Sequence, residues 1–499
     1  MKYIRALIAS VIGAGALVEF LFWGSAGVGF TILFLILLAA FYIACGFPKA
    51  GVRHTAEHIA LAVIIAALAL CYSLFANEAL RILNFLALIF LMGLLFLQGT
   101  VGKNLAWDLP VFHAELWAGY FVRPFACIAR PWKEFAVLRS RKKAETDHTG
   151  TAAKKKIIIQ VLAALLAAVP LLFILVSLLA ASDPVFKNIF KPIMDWLMNL
   201  HIEEVVGRII LFILLLPFVA STIWSYRDAF SVSASAGLKT TLKTPMIPPA
   251  SAITILALLN AVYLLYAGVQ FAYLFGAWGG NLPDGLTPAE YARSGFFELA
   301  FISSINIILL LCSIKLTRRE GKTGIVIRCL STCLLALSSV QLISAMLRMR
   351  LYIQAFGLTQ LRYFVTAFMI LMAVYFVFLL LREFVSGFPL LRCMLFAGAA
   401  ALVILNYSVP DAQIAQYNIS HYESGELKSL DTEYIINSLS ADAHIVLLEN
   451  ENALVRYDSG MKQMYAEMKQ QLDPTYPEYR GRSWKLYNMS EDRFTQYFG

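Results

Sequence analysis

The sequence contains few charged residues, and long stretches of it contain none. Only 15% of its 499 residues are Asp, Glu, Lys or Arg, whereas 60% are hydrophobic. This balance excludes an ordinary soluble globular protein. Apolar runs recur from residue 6 to residue 407, and about 20 apolar residues in a helix cross a hydrocarbon core about 30 Å thick. The sequence therefore predicts an all-α, multi-pass membrane protein.

Catalytic motifs are also missing. The chain has no Walker-type loop, no G-x-S-x-G and no dinucleotide fingerprint. The stretch His54-Thr55-Ala56-Glu57-His58 matches the H-x-x-E-H arrangement of some zinc proteases, but no third ligand accompanies it. We interpret it as a polar helix face near the membrane surface. No catalytic residue, metal site or cofactor is predicted, and an intramembrane enzyme is the least favoured function.

Cysteine is scarce and unevenly placed. The chain has seven Cys residues, none of them after residue 393. The polar C-terminal segment, residues 408–499, therefore cannot contain a disulfide framework. Its helical periodicity instead predicts a small helical domain.

The apolar runs divide the chain into about eleven spans and four regions. The regions are N-terminal membrane helices (1–98), a cytoplasmic interfacial segment and linker (99–156), the main membrane bundle (157–407) and the C-terminal domain (408–499). The predicted spans are 6–23, 26–46, 57–75, 79–98, 157–181, 205–225, 250–276, 296–316, 324–346, 362–381 and 389–407.

The positions of Lys and Arg predict the orientation. With the N-terminus inside, the inner segments carry 24 Lys and Arg residues and the outer loops between spans carry 6. The positive-inside rule then places the N-terminus in the cytoplasm and the C-terminal domain outside. Lys2 and Arg5 before a short apolar stretch also resemble a secretory signal, so retention of the first helix stays open. Its cleavage would not change the orientation of the other spans.

The net charge of +9 does not indicate a nucleic-acid protein. The basic excess lies in the predicted inner loops, as the positive-inside rule requires. Residues 408–499 carry 14 Asp and Glu against 8 Lys and Arg, a balance of −6. No nucleic-acid partner is expected.

Charged and polar residues within or beside the spans are the best functional clue, because they are costly in a membrane. With this topology most of them fall on the outer half. Such a cluster has two interpretations: ion pairs that hold helix ends together, or a pocket for a polar or anionic ligand. The candidate outer-face cluster consists of Asp183, Arg208, Glu290, Arg293, Glu298, Arg348, Arg350, Tyr352 and Arg362.

One part of this cluster, Leu347–Leu361, is predicted to be an Arg-rich outer loop that violates the positive-inside trend. Its arginines should have fixed partners, such as Glu298, Asp183, acidic C-terminal residues or phospholipid headgroups. Gly357 is predicted to allow the turn before the tenth span, with Thr359 as the N-cap.

Several segments between residues 182 and 490 together resemble a bacterial family of uncharacterised multi-pass membrane proteins, labelled domain of unknown function four-one-seven-three. The resemblance implies a protein of the bacterial inner membrane and supplies no activity. The segments are 182–186, 289–299, 350–362 in part, Asp411 with Tyr417-Asn418-Ile419, Leu439–Ala443, and Trp484 with Tyr487-Asn488-Met489-Ser490.

Besides the least favoured intramembrane enzyme, two functions are compatible with these features. The preferred one is an envelope protein that binds or senses something at its outer face. The alternative is a transporter of a polar or lipid-like substrate, for which Asn84, Asn260, Gln270, Asn306 and Gln341 give only a sparse polar path. The expected partners are the lipid bilayer, and with it phospholipid headgroups or another envelope protein.

Overall fold

The computed structural model describes residues 2–23, 27–45, 56–101, 110–126, 202–235, 247–278, 296–450 and 487–496, with residues 128, 133 and 136. These residues form helices, together with an isolated β-bridge between Ile247 and Thr317. The predicted all-α class is confirmed for this part of the chain. The helices are α1 Lys2–Ala16, a π-helical turn Leu17–Phe22, α2 Val28–Cys45, α3 Ala56–Leu74, α4 Glu78–Val101, α5 Pro110–Phe121, α6 Arg123–Ala126, α7 Ile202–Ser235, α8 Pro249–Trp278, α9 Phe296–Leu316, α10 Gly321–Phe356, α11 Gln360–Phe384, α12 Leu390–Tyr407, α13 Pro410–Glu423, α14 Thr432–Ser438, α15 Ala441–Glu449 and α16 Met489–Gln496.

Nine helices within the described residues are long and apolar enough to cross a membrane. Each coincides with one of the predicted spans. The second predicted span corresponds to a shorter apolar helix, Val28–Ala44. The predicted span 157–181 and the segment 183–201 lie outside the described residues, as does most of the linker before residue 157.

The exposed surface of these helices is apolar, as a lipid-facing surface must be. In α8, Leu258, Leu264 and Leu265 are exposed, while Ala252 and Leu256 on the same helix are buried. Helices with apolar residues on both their buried and their exposed sides are typical of membrane spans.

The helices from α2 to α5 and from α8 to α12 pack around two apolar cores that share one helix. The first core joins α2, α3, α4 and α5, and the second joins α8, α9, α10 and α11. Helix α12 contributes Leu390 and Met394 to the second core and Ala399 to the first. It therefore ties the two groups of helices together.

The C-terminal helices form a third core that includes two residues of the membrane part. Ile414, Ile435 and Leu447 are fully buried in it, and Leu358 and Tyr363 pack against it. Helix α13 ends at Glu423, just before Ser424-Gly425, and Asp431 caps α14 by accepting a hydrogen bond from the Tyr434 backbone N–H (2.9 Å). The C-terminal helices thus share their core with the turn that precedes α11.

The prediction of a loop at Leu347–Leu361 is wrong over most of its length. Helix α10 continues to Phe356, so that Arg348 and Arg350 lie in its last turns, and only residues 357–359 form the turn. Polar and charged residues ended the predicted span too early, because hydropathy detects the membrane boundary and not the end of the helix.

Candidate functional site

The C-terminal helices are attached to the membrane helices by buried polar contacts at two turns. One turn is 75–77, between α3 and α4, and the other is 357–359, between α10 and α11. We call this set of contacts the joint.

At the second turn, the side chain of Asn418 from α13 is bonded to the backbone of Leu358. It accepts from the Leu358 N–H (2.7 Å) and donates to the Leu358 carbonyl (2.8 Å). Gly357 makes this approach possible: its φ is +75°, and a Cβ there would lie 2.8 Å from Asn418 Oδ1. Thr359 caps α11 by accepting from the Arg362 N–H. The predicted turn at Gly357 and the cap at Thr359 are both confirmed.

Asp411, at the start of α13, connects both turns. Its carboxylate is fully buried and accepts hydrogen bonds from Asn77 Nδ2 (2.8 Å), Gln360 Nε2 (2.8 Å) and the Ser440 backbone N–H (3.1 Å). These three donors belong to three different segments of the chain. A buried carboxylate with several donors is stabilised by them and holds them at fixed positions.

Asp442, in α15, attaches to the first turn. It accepts from the Ala76 backbone N–H (3.0 Å) and from Ser440 Oγ (3.4 Å). Burial raises the pKa of the Asp442 carboxyl, and its hydrogen bonds oppose that rise. Two carboxyl groups, those of Asp411 and Asp442, are therefore buried in the joint and held mainly by neutral donors.

The last described helix adds to the same turn. Asn488 Nδ2 donates to the carbonyls of Tyr72 (2.9 Å) and Phe75 (2.8 Å). Arg81, at the start of α4, forms an ion pair with Glu491 (3.2 Å). These contacts satisfy carbonyls at the end of α3 that the helix itself leaves open.

His444 lies behind the joint, on α15. It is buried, and its Nε2 lies 3.0 Å from the Ile436 carbonyl, to which it donates. Burial lowers the pKa of His444 below its ordinary value, and the hydrogen bond opposes that effect. His444 is therefore a neutral, structural residue at neutral pH.

The structure brings four of the predicted site residues together at the end of α10. Arg348 is buried (9% exposed) and Arg350 is exposed. Arg362 stacks over the Tyr352 ring at 4.1 Å and donates to the carbonyls of Phe356 and Gly357. Arg362 thus satisfies the C-terminal carbonyls of α10.

The remaining predicted residues are placed elsewhere or not described. Arg208, on α7, lies 3.6 Å from Glu19, pairs with Glu204 and stacks on Trp23. Glu298 is exposed at the start of α9, and no ion pair among the described residues joins it to Arg348, Arg350 or Arg362. Asp183, Glu290 and Arg293 lie outside the described residues.

Arg208 and Glu298 therefore do not join the arginines at the end of α10 in the described part of the chain. Arg208 instead fastens α7 to the π-helical turn. The position of a residue along its predicted span assigns it to one membrane surface. It does not show where around the helix bundle the residue lies.

The zinc-type motif divides between described and undescribed residues. Glu57 pairs with Arg392 (2.9 Å) and accepts from Gln98, and His58 is bonded to Tyr42. Within the described residues no three His, Cys, Asp or Glu side chains are arranged to hold a metal ion.

The residues of the joint itself were not predicted as a site. Asp411, Asn418, Asp442 and Asn488 belong to segments that carry the family resemblance, but no role followed from them. Their partners are far away in sequence; Asp411 and Asn77 are 334 residues apart. Only the three-dimensional fold could show these pairs.

Comparison with known proteins gives one match. A family model described as "Domain of unknown function (DUF4153)" matches residues 62–450. No curated protein and no solved structure matches. The expectation of an uncharacterised family is confirmed, but the matching family is not the one labelled four-one-seven-three.

Proposed function

Because the chain belongs to the DUF4153 family, whose description states no activity, we propose a function from the geometry of the protein alone. In this proposal the protein is an integral protein of the bacterial inner membrane, with a cytoplasmic N-terminus and an extracytoplasmic C-terminus. It binds an anionic lipid headgroup at its outer face and relays the occupancy of that site to its C-terminal helices.

The orientation is supported by the charge distribution. The segments assigned to the inside, with the adjoining helix ends, carry 24 Lys and Arg residues, against 6 in the outer loops between spans. This bias is the main determinant of orientation in helical membrane proteins. The joint and the end of α10 then lie at the outer surface.

Arg350 is the observation that carries the binding proposal. It is exposed in the last turns of α10, and no described ion pair or hydrogen bond holds its guanidinium. Its neighbours Arg348 and Arg362 are buried or occupied. A guanidinium beside the outer headgroup layer, where cations are otherwise depleted, suits a phosphate or carboxylate, which it binds with two parallel hydrogen bonds.

The same position favours a sensing role. Arg350 lies near Tyr417 of α13: burial raises the pKa of the Tyr417 hydroxyl, Glu426 adds to the rise, and Arg350 opposes it. Tyr417 is adjacent to Asn418, which binds the Leu358 backbone. A ligand on Arg350 would therefore contact the element that anchors the joint.

The test uses the purified full chain in mild detergent and native mass spectrometry. We expect retention of anionic phospholipids over zwitterionic ones, and a loss of about tenfold in affinity in Arg350→Ala, since charged hydrogen bonds contribute about 1.5–3 kcal/mol.

The matched control is Arg328→Ala, an exposed arginine near the opposite end of the same helix. It should leave binding unchanged. Equal binding by the wild type and Arg350→Ala, or equal losses in both variants, would contradict the proposal.

A further inference from the structure

A row of buried polar side chains follows one side of α10. Ser331, Ser338, Gln341 and Ser344 are at most 2% exposed, and Arg348 is 9% exposed. Seventeen residues separate the ends of the row, which makes it about 25 Å long at 1.5 Å per residue. That length is close to the thickness of a bilayer core, about 30 Å. We call this set, with its partners on α8 and α9, the polar row.

The neighbouring helices face this row with polar groups of their own. Tyr263 on α8 donates to Asn306 Oδ1 on α9 (2.9 Å), and Asn306 Nδ2 donates to Ser338 Oγ (2.8 Å). Asn260, also on α8, donates to the Leu330 carbonyl of α10 (2.9 Å). Three helices therefore meet along a polar seam within a bundle that is otherwise apolar.

The row reaches charged groups at both ends. At one end, Arg319 binds Glu383 through two hydrogen bonds (2.8 and 2.6 Å) and lies 3.3 Å from Ser331 Oγ. At the other end lies Arg348. From the sequence, Asn260, Asn306 and Gln341 give only a sparse polar path. In the structure, serines of α10 and a tyrosine of α8 fill the gaps between these amides.

Two acceptors in the row have no donor among the described residues. Gln341 Oε1 and Asn260 Oδ1 are buried, and the described protein offers neither of them a hydrogen bond. A buried acceptor without a donor costs about 1–3 kcal/mol, and lipid cannot supply one.

A buried pair of amide side chains elsewhere in the protein provides a comparison, because its hydrogen bonds connect two helices. The side chains of Asn84 and Asn406 each donate one hydrogen bond to the other (2.7 and 2.9 Å), so both amide oxygens have a donor. That pair can be explained as an attachment between helices. Attachment between helices does not explain the open oxygens of Gln341 and Asn260 in the polar row.

We propose that the polar row is a hydrated path for small uncharged polar molecules, of which water is the smallest. Amide and hydroxyl oxygens along the row accept hydrogen bonds from such molecules. Arg348 at one end repels cations, and the positive charge of Arg319 is neutralised by Glu383 at the other. This activity goes beyond headgroup binding and does not depend on it.

The first experiment measures flux. The full chain is reconstituted in liposomes, and water, urea and glycerol permeation are followed by light scattering after an osmotic step. We expect faster permeation than in protein-free liposomes, reduced about fivefold by Gln341→Leu and Asn260→Leu, which remove hydrogen-bonding groups from the row. A pH-sensitive dye inside the liposomes should show no added proton flux.

The matched control is the double variant Asn84→Leu with Asn406→Leu, which removes the satisfied amide pair and should keep the wild-type flux. Permeation no faster than in empty liposomes would overturn the proposal. So would equal losses in the control and the row variants, or a proton flux that the protein creates.

A second experiment does not require a stable leucine variant. Ser338→Cys and Ser344→Cys, in a chain without its native cysteines, change only one atom of each side chain. We expect both to react with a small water-soluble thiol reagent. Leu335→Cys, buried on the same helix in the apolar core, should remain unmodified. Protection of all three positions would overturn a hydrated path, whatever the flux data show.

Discussion

Gly357 shows how one residue can control the joint. Its φ of +75° lies in a region that side chains rarely adopt, and a Cβ would lie 2.8 Å from the Asn418 amide. The glycine therefore permits both the turn after α10 and the close approach of α13. A larger residue would have to displace the hydrogen bonds between Asn418 and Leu358.

We predict that Gly357→Ala lowers the free energy of unfolding of the C-terminal helices by about 2–4 kcal/mol, from backbone strain and a weakened Asn418 contact. Gly425→Ala separates the two effects: Gly425 also has a positive φ (+77°), but no atom lies within 4 Å of its added Cβ. Thermal unfolding of the purified chain measures both. A Gly357→Ala variant no less stable than Gly425→Ala would show that the close approach is unimportant.

His444 makes the C-terminal helices sensitive to acid. Burial lowers its pKa in the folded state, whereas the unfolded residue titrates near 6.5. As the pH falls through 6.5, the unfolded chain binds the proton first, so stability decreases until the pH passes the lowered folded value. Asp442 acts in the opposite direction, because its raised pKa favours the folded state as the pH falls towards 3.8.

We predict that stability decreases on acidification from pH 7.5 towards 5, and that His444→Gln flattens this dependence. Asp442→Asn should remove the gain in stability that the Asp442 carboxyl contributes as the pH falls towards 3.8, and the pH series extends to that value. Unfolding temperatures across the pH series provide the measurement. An unchanged pH profile in His444→Gln would assign the sensitivity to other groups.

At the scale of elements, the sequence predicted local features better than their partners. The turn at Gly357 and the cap at Thr359 follow from turn and capping chemistry within a few residues. The end of α10 was misplaced because its last turns lie beyond the apolar run. Asp411 reaches segments far away in sequence, and a single sequence contains no signal of that pairing.

Two arginines in the turn between α9 and α10 form ion pairs that differ in burial, Arg318 with Glu320 of the same turn and Arg319 with Glu383 of α11. Arg319 and Glu383 are 13% and 3% exposed, whereas Arg318 and Glu320 are 63% and 71% exposed. Removing one partner of a buried pair leaves an uncompensated charge and costs about 3–5 kcal/mol. An exposed pair contributes about 0–1 kcal/mol.

We therefore predict that Glu383→Gln lowers the unfolding temperature markedly, while Glu320→Gln leaves it nearly unchanged. Both substitutions remove one carboxylate next to one arginine of the same turn, so burial is the main difference between them. Similar unfolding temperatures for the two variants would mean that Arg319 finds another partner or that its site is hydrated.

At the scale of the molecule, the proposed orientation depends on loops as well as spans. Reporter fusions test it directly: alkaline phosphatase at Gly499 should be active, and a fusion near Thr149 should be inactive. The reason is the excess of Lys and Arg on the side assigned to the inside, 24 residues against 6 in the outer loops between spans. An inactive phosphatase at Gly499 would reverse the orientation and place the joint in the cytoplasm.

The C-terminal helices depend on the membrane helices for part of their core and for several buried polar contacts. Leu358 and Tyr363 complete the apolar core, and Asp411, Asp442 and Asn488 are bonded to the turns of the membrane part. The sequence predicts acidic C-terminal residues as partners of the outer arginines. The described contacts of Asp411 and Asp442 are instead with amide and hydroxyl donors.

We predict that residues 408–499 expressed alone show reduced helicity and no cooperative unfolding, because the isolated segment leaves both carboxyl groups without their donors from the membrane part. Circular dichroism during heating measures this, with the full chain in detergent as the reference. In the full chain, Asn77→Leu should make the C-terminal segment more sensitive to protease, because it removes a donor to the buried Asp411. A stable, monomeric isolated segment, with no change in protease sensitivity in Asn77→Leu, would show that the C-terminal helices fold independently of the membrane part.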